Sequence, residues 1–202
     1  MIRSIPIPGG VFVAVVGPSG SGKDSVMRLA NERLEREAPG RVHFARRIIT
    51  READGGAETH ETCSAERFAA LRADRGFALS WTAHGCAYGI PAAADDLVAA
   101  GTIVVANLSR AVLPDMRARY ARSLAIAITA PLPVLAARIA TRGRESGPEV
   151  EARLARSERF CAPAIPYDLV IDNSGPLETS VCCFLDRLKP LLSDPARRAT
   201  AV

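Results

Sequence analysis

Six apolar residues in unbroken succession, Val11 through Val16, open the interpretable part of the chain. They do not alternate with polar ones, and four of them are valine, the signature of a strand covered on both faces in a parallel sheet. A Gly/Ser-rich stretch follows. Then Val26, Ala30 and Leu34 recur at four-residue spacing, which predicts a helix ending before Pro39-Gly40. Residues 42–50 predict one further strand that runs into a loop. From residue 91 the alternation becomes regular: a helix to Ala100, a strand over 103–106, a helix over about 110–120 and a strand over 124–128. A helix over 131–141 carries proline in its first turn, where the missing N–H costs nothing. A charged loop at 142–148 follows, then a helix to about residue 159, a strand over 169–171 and a last helix over 177–188. Five strands alternating with helices predict an α/β fold with a doubly wound parallel sheet.

Residues 51–90 break this rhythm. They are polar and punctuated by glycine, with a short helical pattern at about 64–74 and strand-like pieces at 77–82 and 86–88. The reading is one domain: a core of about 9–50 and 91–192, an insert of about 51–90, and a tail, 193–202, expected to be disordered. No apolar run approaches the roughly 20 residues that cross a bilayer, and residues 1–10 lack the apolar core of a signal peptide. Five cysteines, an odd number without CxxC spacing, argue against a disulfide framework or a zinc site and point to the cytoplasm. Cys182 and Cys183, within an apolar helical pattern, are expected as buried thiols.

Charge narrows the partners. The 202 residues carry a net charge of +4, but the basic residues are scattered, and at 5% aromatic content stacking platforms for single strands are scarce. Small anionic ligands fit better than nucleic acid or a membrane. Of the 26 basic residues only two are lysine, Lys23 and Lys189. Lys23 closes Gly17-Pro18-Ser19-Gly20-Ser21-Gly22-Lys23, which fits G-x-x-x-x-G-K between a predicted strand and a predicted helix. Glycines there let successive backbone N–H groups point at phosphate oxygens, the helix N-terminus adds positive potential, and the ammonium reaches the β- and γ-phosphates. The next residue is Asp24, with Ser25 after it, where the motif has a Mg²⁺-binding hydroxyl. Asn107, at the end of the 103–106 strand, stands where an acidic metal ligand is expected. Asp24, Ser25 and Asn107 are the candidate metal ligands, and the sequence leaves open whether Asp24 binds directly.

Gly17 to Asp24, the Arg142-Gly143-Arg144 loop and the Tyr167-Asp168…Asp172-Asn173 stretch resemble the guanylate kinase branch of the P-loop kinases. Within that branch, the Gly-Lys-Asp-Ser loop, Gly56-Ala57-Glu58-Thr59-His60 and Asn107-Leu108-Ser109-Arg110 are similar to the ribose 1,5-bisphosphate phosphokinases of phosphonate breakdown. The resemblance spans about residues 9–192. It implies that the insert binds the acceptor and that residues 142–148 form a small arginine-rich lid. Guanylate kinases read guanine with carboxylates, and here Leu79 replaces a glutamate, Val105 and Asn107 stand in place of two aspartates, and Tyr88-Gly89-Ile90-Pro91 replaces Tyr-Gly-Thr/Ser. The phosphate-side Arg51 and Tyr88 remain. The resemblance maps Arg138, Arg142 and Arg153 onto catalytic arginines, adds Arg144 as a nucleotide ligand and matches Asn173 to an adenine-contacting asparagine. Arg47, Arg51, Glu58, His60, Tyr88 and Asn107 are candidate acceptor ligands; His84 is weighed with them, and Trp81 is expected in the core of the insert. The implied reaction transfers the γ-phosphoryl of ATP, with Mg²⁺, to the 1-phosphate of ribose 1,5-bisphosphate, giving 5-phosphoribosyl 1-diphosphate. The implied enzyme is a cytoplasmic monomer or homodimer. Alternatives are a guanylate or other nucleoside monophosphate kinase, and a non-catalytic P-loop module binding a nucleotide or a protein.

Overall fold

A computed structural model describes residues 5–50, 60–141 and 166–194. The strand predicted at the start is β1 (Val11–Val16), buried throughout, and it feeds the Gly-rich loop and helix α1 (Lys23–Glu37). The stretch expected as one strand is two. β2 (Val42–Ala45) stays in the main sheet, while β3 (Arg47–Ile49) leaves it for a second one. Exposed Arg46 sits at the break, where the first of two adjacent arginines turns to solvent. The insert continues with β4 (His60–Thr62), α2 (Ala65–Ala73), β5 (Phe77–Ala83) and β6 (Cys86–Pro91). Then come α3 (Ala93–Ala99), β7 (Ile103–Asn107), a 3-10 turn (Arg110–Val112), α4 (Leu113–Arg119) and β8 (Ser123–Thr129). Helix α5 (Leu132–Thr141), strand β9 (Leu169–Asp172) and helix α6 (Leu177–Leu192) complete the described chain. The expected helix to residue 159 and the lid lie outside the described residues.

The main sheet has five strands in the order β2-β7-β1-β8-β9, all parallel. Its two faces are covered by different helices. Val11, Val13 and Val15 pack with Val26, Ala30 and Leu34 of α1 and Val181, Phe184 and Leu188 of α6. Phe12, Ala14 and Val16 pack on the opposite face with Val98 of α3 and Leu113 and Met116 of α4. The doubly wound expectation holds for this reason: each β1 side chain, in or out, meets a helix. The second sheet, β4-β3-β6-β5, is mixed and joins the core through buried Leu79 and Ile90. Gly89 is required in it, because a Cβ there would lie 2.4 Å from the Phe77 ring.

A second expectation fails. Cys182 and Cys183 are exposed. The buried face of α6 is Ser180, Val181, Phe184, Leu185 and Leu188, a helical repeat that puts residues 182 and 183 on the outer side. Helix α6 also runs past Pro190 to Leu192, two turns of apolar contacts outweighing one missing N–H. At the opposite end of the sheet from the Gly-rich loop, Asp95 of α3 accepts from Arg119 Nε at 2.9 Å and from Tyr120 Oη at 2.8 Å, and the Tyr120 ring stacks on Phe12 at 4.4 Å. Burial, with Asp95 beside it, pushes the Tyr120 hydroxyl far above its ordinary range. Among the described residues no helix is long and apolar enough to cross a membrane, and no group of three or more His, Cys, Asp or Glu is placed to hold a metal.

Candidate active site

The loop Gly17–Gly22 turns the chain from the C-terminal end of β1 into α1, and Lys23 and Asp24 are the first residues of that helix. Gly22 is its N-cap with φ of 81°, a left-handed conformation that only glycine adopts without strain; a Cβ there would also stand 2.4 Å from Asn173 Nδ2. Pro18, Ser19 and Gly20 form the tip, closed by Ser21 N donating to Pro18 O at 3.3 Å. Parallel pairing of Val15 with Asn107 brings the end of β7 beside the loop. There Asn107 Nδ2 donates to Asp24 Oδ1 at 2.9 Å, and the other Asp24 oxygen lies 3.9 Å from Lys23 Nζ. The sequence separated Asp24 and Asn107 by 83 residues, and the fold brings them into contact. Ser25, half-buried, follows in the same helical turn.

A second link braces the loop from the other side. Asn173, just beyond β9 and 3% exposed, donates from Nδ2 to Ser21 O at 2.8 Å, while its own carbonyl accepts from Arg138 Nη2 of α5 at 2.8 Å. Around the loop, three buried polar atoms have no hydrogen-bond partner among the described residues: Ser21 Oγ, Asn173 Oδ1 and Arg138 Nη1. A Cβ on Gly22 would lie 3.9 Å from that Arg138 nitrogen. Leaving such groups unsatisfied costs about 1–3 kcal/mol each. An anion held in the loop beside Gly22 would give the Arg138 nitrogen its partner.

The insert presents its chemistry on one sheet face. Register pairs Arg47 with His60, Ile49 with Tyr88, Leu79 with Ile90 and Trp81 with Tyr88, and paired residues share a face. Tyr88 is flanked on both sides: Trp81 from β5 stacks on it at 5.4 Å and 7°, and the Arg47 guanidinium from β3 lies over the ring at 5.5 Å. Trp81 is thus only half-buried, a wall of this face as well as a support of the insert. His84 lies away from these residues. It is exposed at the tip of the β5–β6 hairpin, with φ of 52° beside Gly85 at 73°, a two-residue turn with both positions left-handed. Arg51, Glu58, Arg142, Arg144 and Arg153 lie outside the described residues.

Sequence reasoning missed two relations. The brace from Asn173 to Ser21 carries no local signal, because it joins residues 152 apart. The Trp81–Tyr88 stack did carry one: the two are equidistant from the turn at 84–85, so a tight hairpin must pair them. A cavity of about 470 Å³ at the edge of β2, lined by Asn31, His43, Arg46, Glu61 and Leu97 among others, shares no residue with the loop.

Gly-rich loop, Lys23 ammonium, unsatisfied Arg138 nitrogen and cradling Gly22 together fit a polyphosphate. The oxygens of Asp24, Asn107 and Ser25 are the hard donors a Mg²⁺ ion takes. No protein-family model matches the chain. Its relatives include the ribose 1,5-bisphosphate phosphokinase PhnN of Chelativorans sp. strain BNC1, 52% identical over 184 residues, which cover 91% of this chain and 87% of that one. That of Brucella melitensis biotype 2 is 47% identical, covering 90% and 93%, and that of Pseudomonas fluorescens SBW25 is 43% identical, covering 86% and 94%. Among solved structures, guanylate kinase from Anaplasma phagocytophilum is similar in fold, with a TM-score of 0.66 at 20% identity, covering 96% of this chain and 92% of that one.

Proposed function

The chain belongs to the ribose 1,5-bisphosphate phosphokinase family, and on that premise we propose that it transfers the γ-phosphoryl of ATP to the 1-phosphate of ribose 1,5-bisphosphate. The products are 5-phosphoribosyl 1-diphosphate and ADP, formed in the cytoplasm during phosphonate breakdown. An oxygen of the 1-phosphate forms the new bond to the γ-phosphorus as the bond from that phosphorus to the β–γ bridging oxygen breaks. A phosphate monoester is mostly dianionic at pH 7, so no general base is needed. The barrier lies in bringing two polyanions into line, and cations with fixed geometry lower it.

Each residue then has a task. The loop residues Gly17, Pro18, Ser19, Gly20, Ser21 and Gly22 cradle the donor phosphates, and Lys23 carries positive charge to the β- and γ-phosphates. Arg138 reaches the same loop from α5, with one guanidinium nitrogen fixed on Asn173 O and the other left for the transferring group. Asp24, Asn107 and Ser25 would hold Mg²⁺, which when bound supplies charge neutralisation between the phosphates. Arg142, Arg144 and Arg153 join this reading as lid cations, and Arg47, Arg51, Glu58, His60 and Tyr88 as acceptor ligands on the insert.

One observation favours a sugar phosphate over a nucleotide as acceptor. Leu79, which stands where the guanylate kinase pattern has a glutamate, is apolar, 5% exposed and packed into the core, so that position offers a base edge no carboxylate. A site lacking the partners for a base's polar edge discriminates strongly against it. The test is purified protein with ATP and Mg²⁺ against ribose 1,5-bisphosphate, GMP, AMP and ribose 5-phosphate. The expected result is turnover of the bisphosphate, with GMP slower by orders of magnitude; preference for GMP would overturn the reading.

A further inference from the structure

We propose that Asn173 is a positioning residue for the donor phosphates: its side-chain amide fixes the Ser21–Gly22 peptide so that the Gly22 N–H faces the polyphosphate. The proposal rests on the polyphosphate reading of the loop, and it gives Asn173 a task other than the adenine contact that the family resemblance implies. Three elements hold this residue. Its N–H donates to Thr129 O at the end of β8, its carbonyl accepts from Arg138 Nη2 of α5, and its Nδ2 donates to Ser21 O, each at 2.8 Å. Asn173 is 3% exposed, and its Oδ1 is buried with the rest of the side chain. An adenine ring finds no open edge on such an amide.

The glycines of the loop create the need for a clamp. Gly20 and Gly22 both have φ of 81°, with Ser21 between them, the kind of tight turn in which successive N–H groups form an anion-binding hollow. The Ser21–Gly22 peptide is trans, so its C=O and its N–H point in opposite directions. Half a turn of that one peptide would exchange the two. The rotation is shared between ψ of Ser21 and φ of Gly22, and glycine accepts negative φ as readily as positive. A flipped peptide would aim a carbonyl oxygen at the phosphates in place of a donor, and the two would repel.

Asn173 decides between the two orientations. A donor 2.8 Å from Ser21 O favours the peptide whose oxygen turns toward Asn173 and whose N–H turns away from it. Flipping the peptide forfeits that bond at a buried position where water does not replace it. In the observed orientation Gly22 N donates to no backbone carbonyl among the described residues, which leaves it for a ligand. Arg138 is tied to the same asparagine, so the loop donor and the guanidinium are held in register through one residue.

The experiment compares ATP with inorganic tripolyphosphate, which keeps the phosphate chain and lacks the base. Wild type, Asn173→Ala and Asn173→Leu are titrated with each by calorimetry, well below their melting temperatures. Both variants are expected to bind both probes on the order of 10- to 100-fold more weakly, the scale of one hydrogen bond to a charged group. The ratio of the two dissociation constants should stay as in wild type. A loss confined to ATP makes Asn173 a base contact and overturns the proposal. A merely structural role lowers the melting temperature and leaves both dissociation constants unchanged, which overturns it as well. If neither variant folds, wild type carrying isotope-labelled glycine decides: the Gly22 amide resonance is expected to shift when tripolyphosphate is added, and an unmoved resonance overturns the assignment. A wild-type protein that binds neither probe overturns the polyphosphate reading of the loop itself, a result no substitution at Asn173 produces.

Discussion

Lys23 is where the chemistry of single residues is plainest. In a chain with twelve arginines for each lysine, this position keeps a compact ammonium. A planar guanidinium is too large to turn within the tight loop, and its fixed fork cannot follow a phosphoryl group as it moves. Lys23→Ala is therefore expected to lower kcat/KM by on the order of 10²- to 10³-fold with the circular dichroism spectrum unchanged, and Lys23→Arg to restore little; steady-state kinetics on the three proteins check this. Asp24 makes a separate prediction. Its carboxylate is bonded to the Asn107 amide and lies 3.9 Å from the ammonium. Asp24→Asn removes the charge and keeps the shape. The Mg²⁺ concentration for half-maximal rate should rise about tenfold or more, since a carboxylate is the strongest ligand such a site offers. Unchanged Mg²⁺ dependence would place the ion elsewhere.

Among the elements, the phosphate loop is held between two neighbours that the sequence keeps far apart: the end of β7 through Asn107, and the end of β9 through Asn173. Asn173→Ala leaves the Ser21 carbonyl buried without its donor, so stability should fall by about 1–3 kcal/mol, and KM for ATP should rise as the loop loosens; thermal denaturation and nucleotide titration measure the two. Gly22→Ala meets strain at φ of 81° and the nearby Asn173 amide together, and a loss of about 1–3 kcal/mol is expected from the backbone alone. Much at this scale was legible beforehand. Strand β1 is a continuous apolar run, β7, β8 and β9 are apolar between polar ends, and the G-x-x-x-x-G-K stretch fixes its own context. The split of residues 42–50 was not legible, because an arginine pair reads equally as a half-exposed strand and as a break; only the pairing partners, β7 for one half and β6 for the other, decide it. Exposure of Cys182 and Cys183 was within reach, since counting three and four from Phe184 and Leu188 gives Val181, Ser180 and Leu185, never 182 or 183.

For the whole molecule, the two ends of the sheet divide the work. The Gly-rich loop and the unpartnered Arg138 nitrogen lie at the C-terminal edge of the strands, and a network of Asp95, Arg119, Tyr120 and Phe12 lies at the other. That network predicts an alkaline limit. The Tyr120 hydroxyl has its pKa raised by burial, so the unfolded chain releases the proton near pH 10 while the folded one keeps it. Its contribution is fully present below pH 10 and is lost above it, at a slope of about 1.4 kcal/mol per pH unit. Tyr120→Phe should flatten that slope between pH 10 and 11.5 in urea titrations, even if it lowers stability at pH 7. The scarcity of lysine has a consequence of another kind. The chain offers an acylating reagent two lysine amines: Lys189, 55% exposed and remote on α6, and Lys23, 17% exposed at the mouth of the loop. Covalent labelling of this protein should therefore separate into a fast, silent event and a slow one that abolishes turnover in a single hit. ATP should shield the second amine and leave the first untouched, which turns the lysine count into a direct gauge of occupancy.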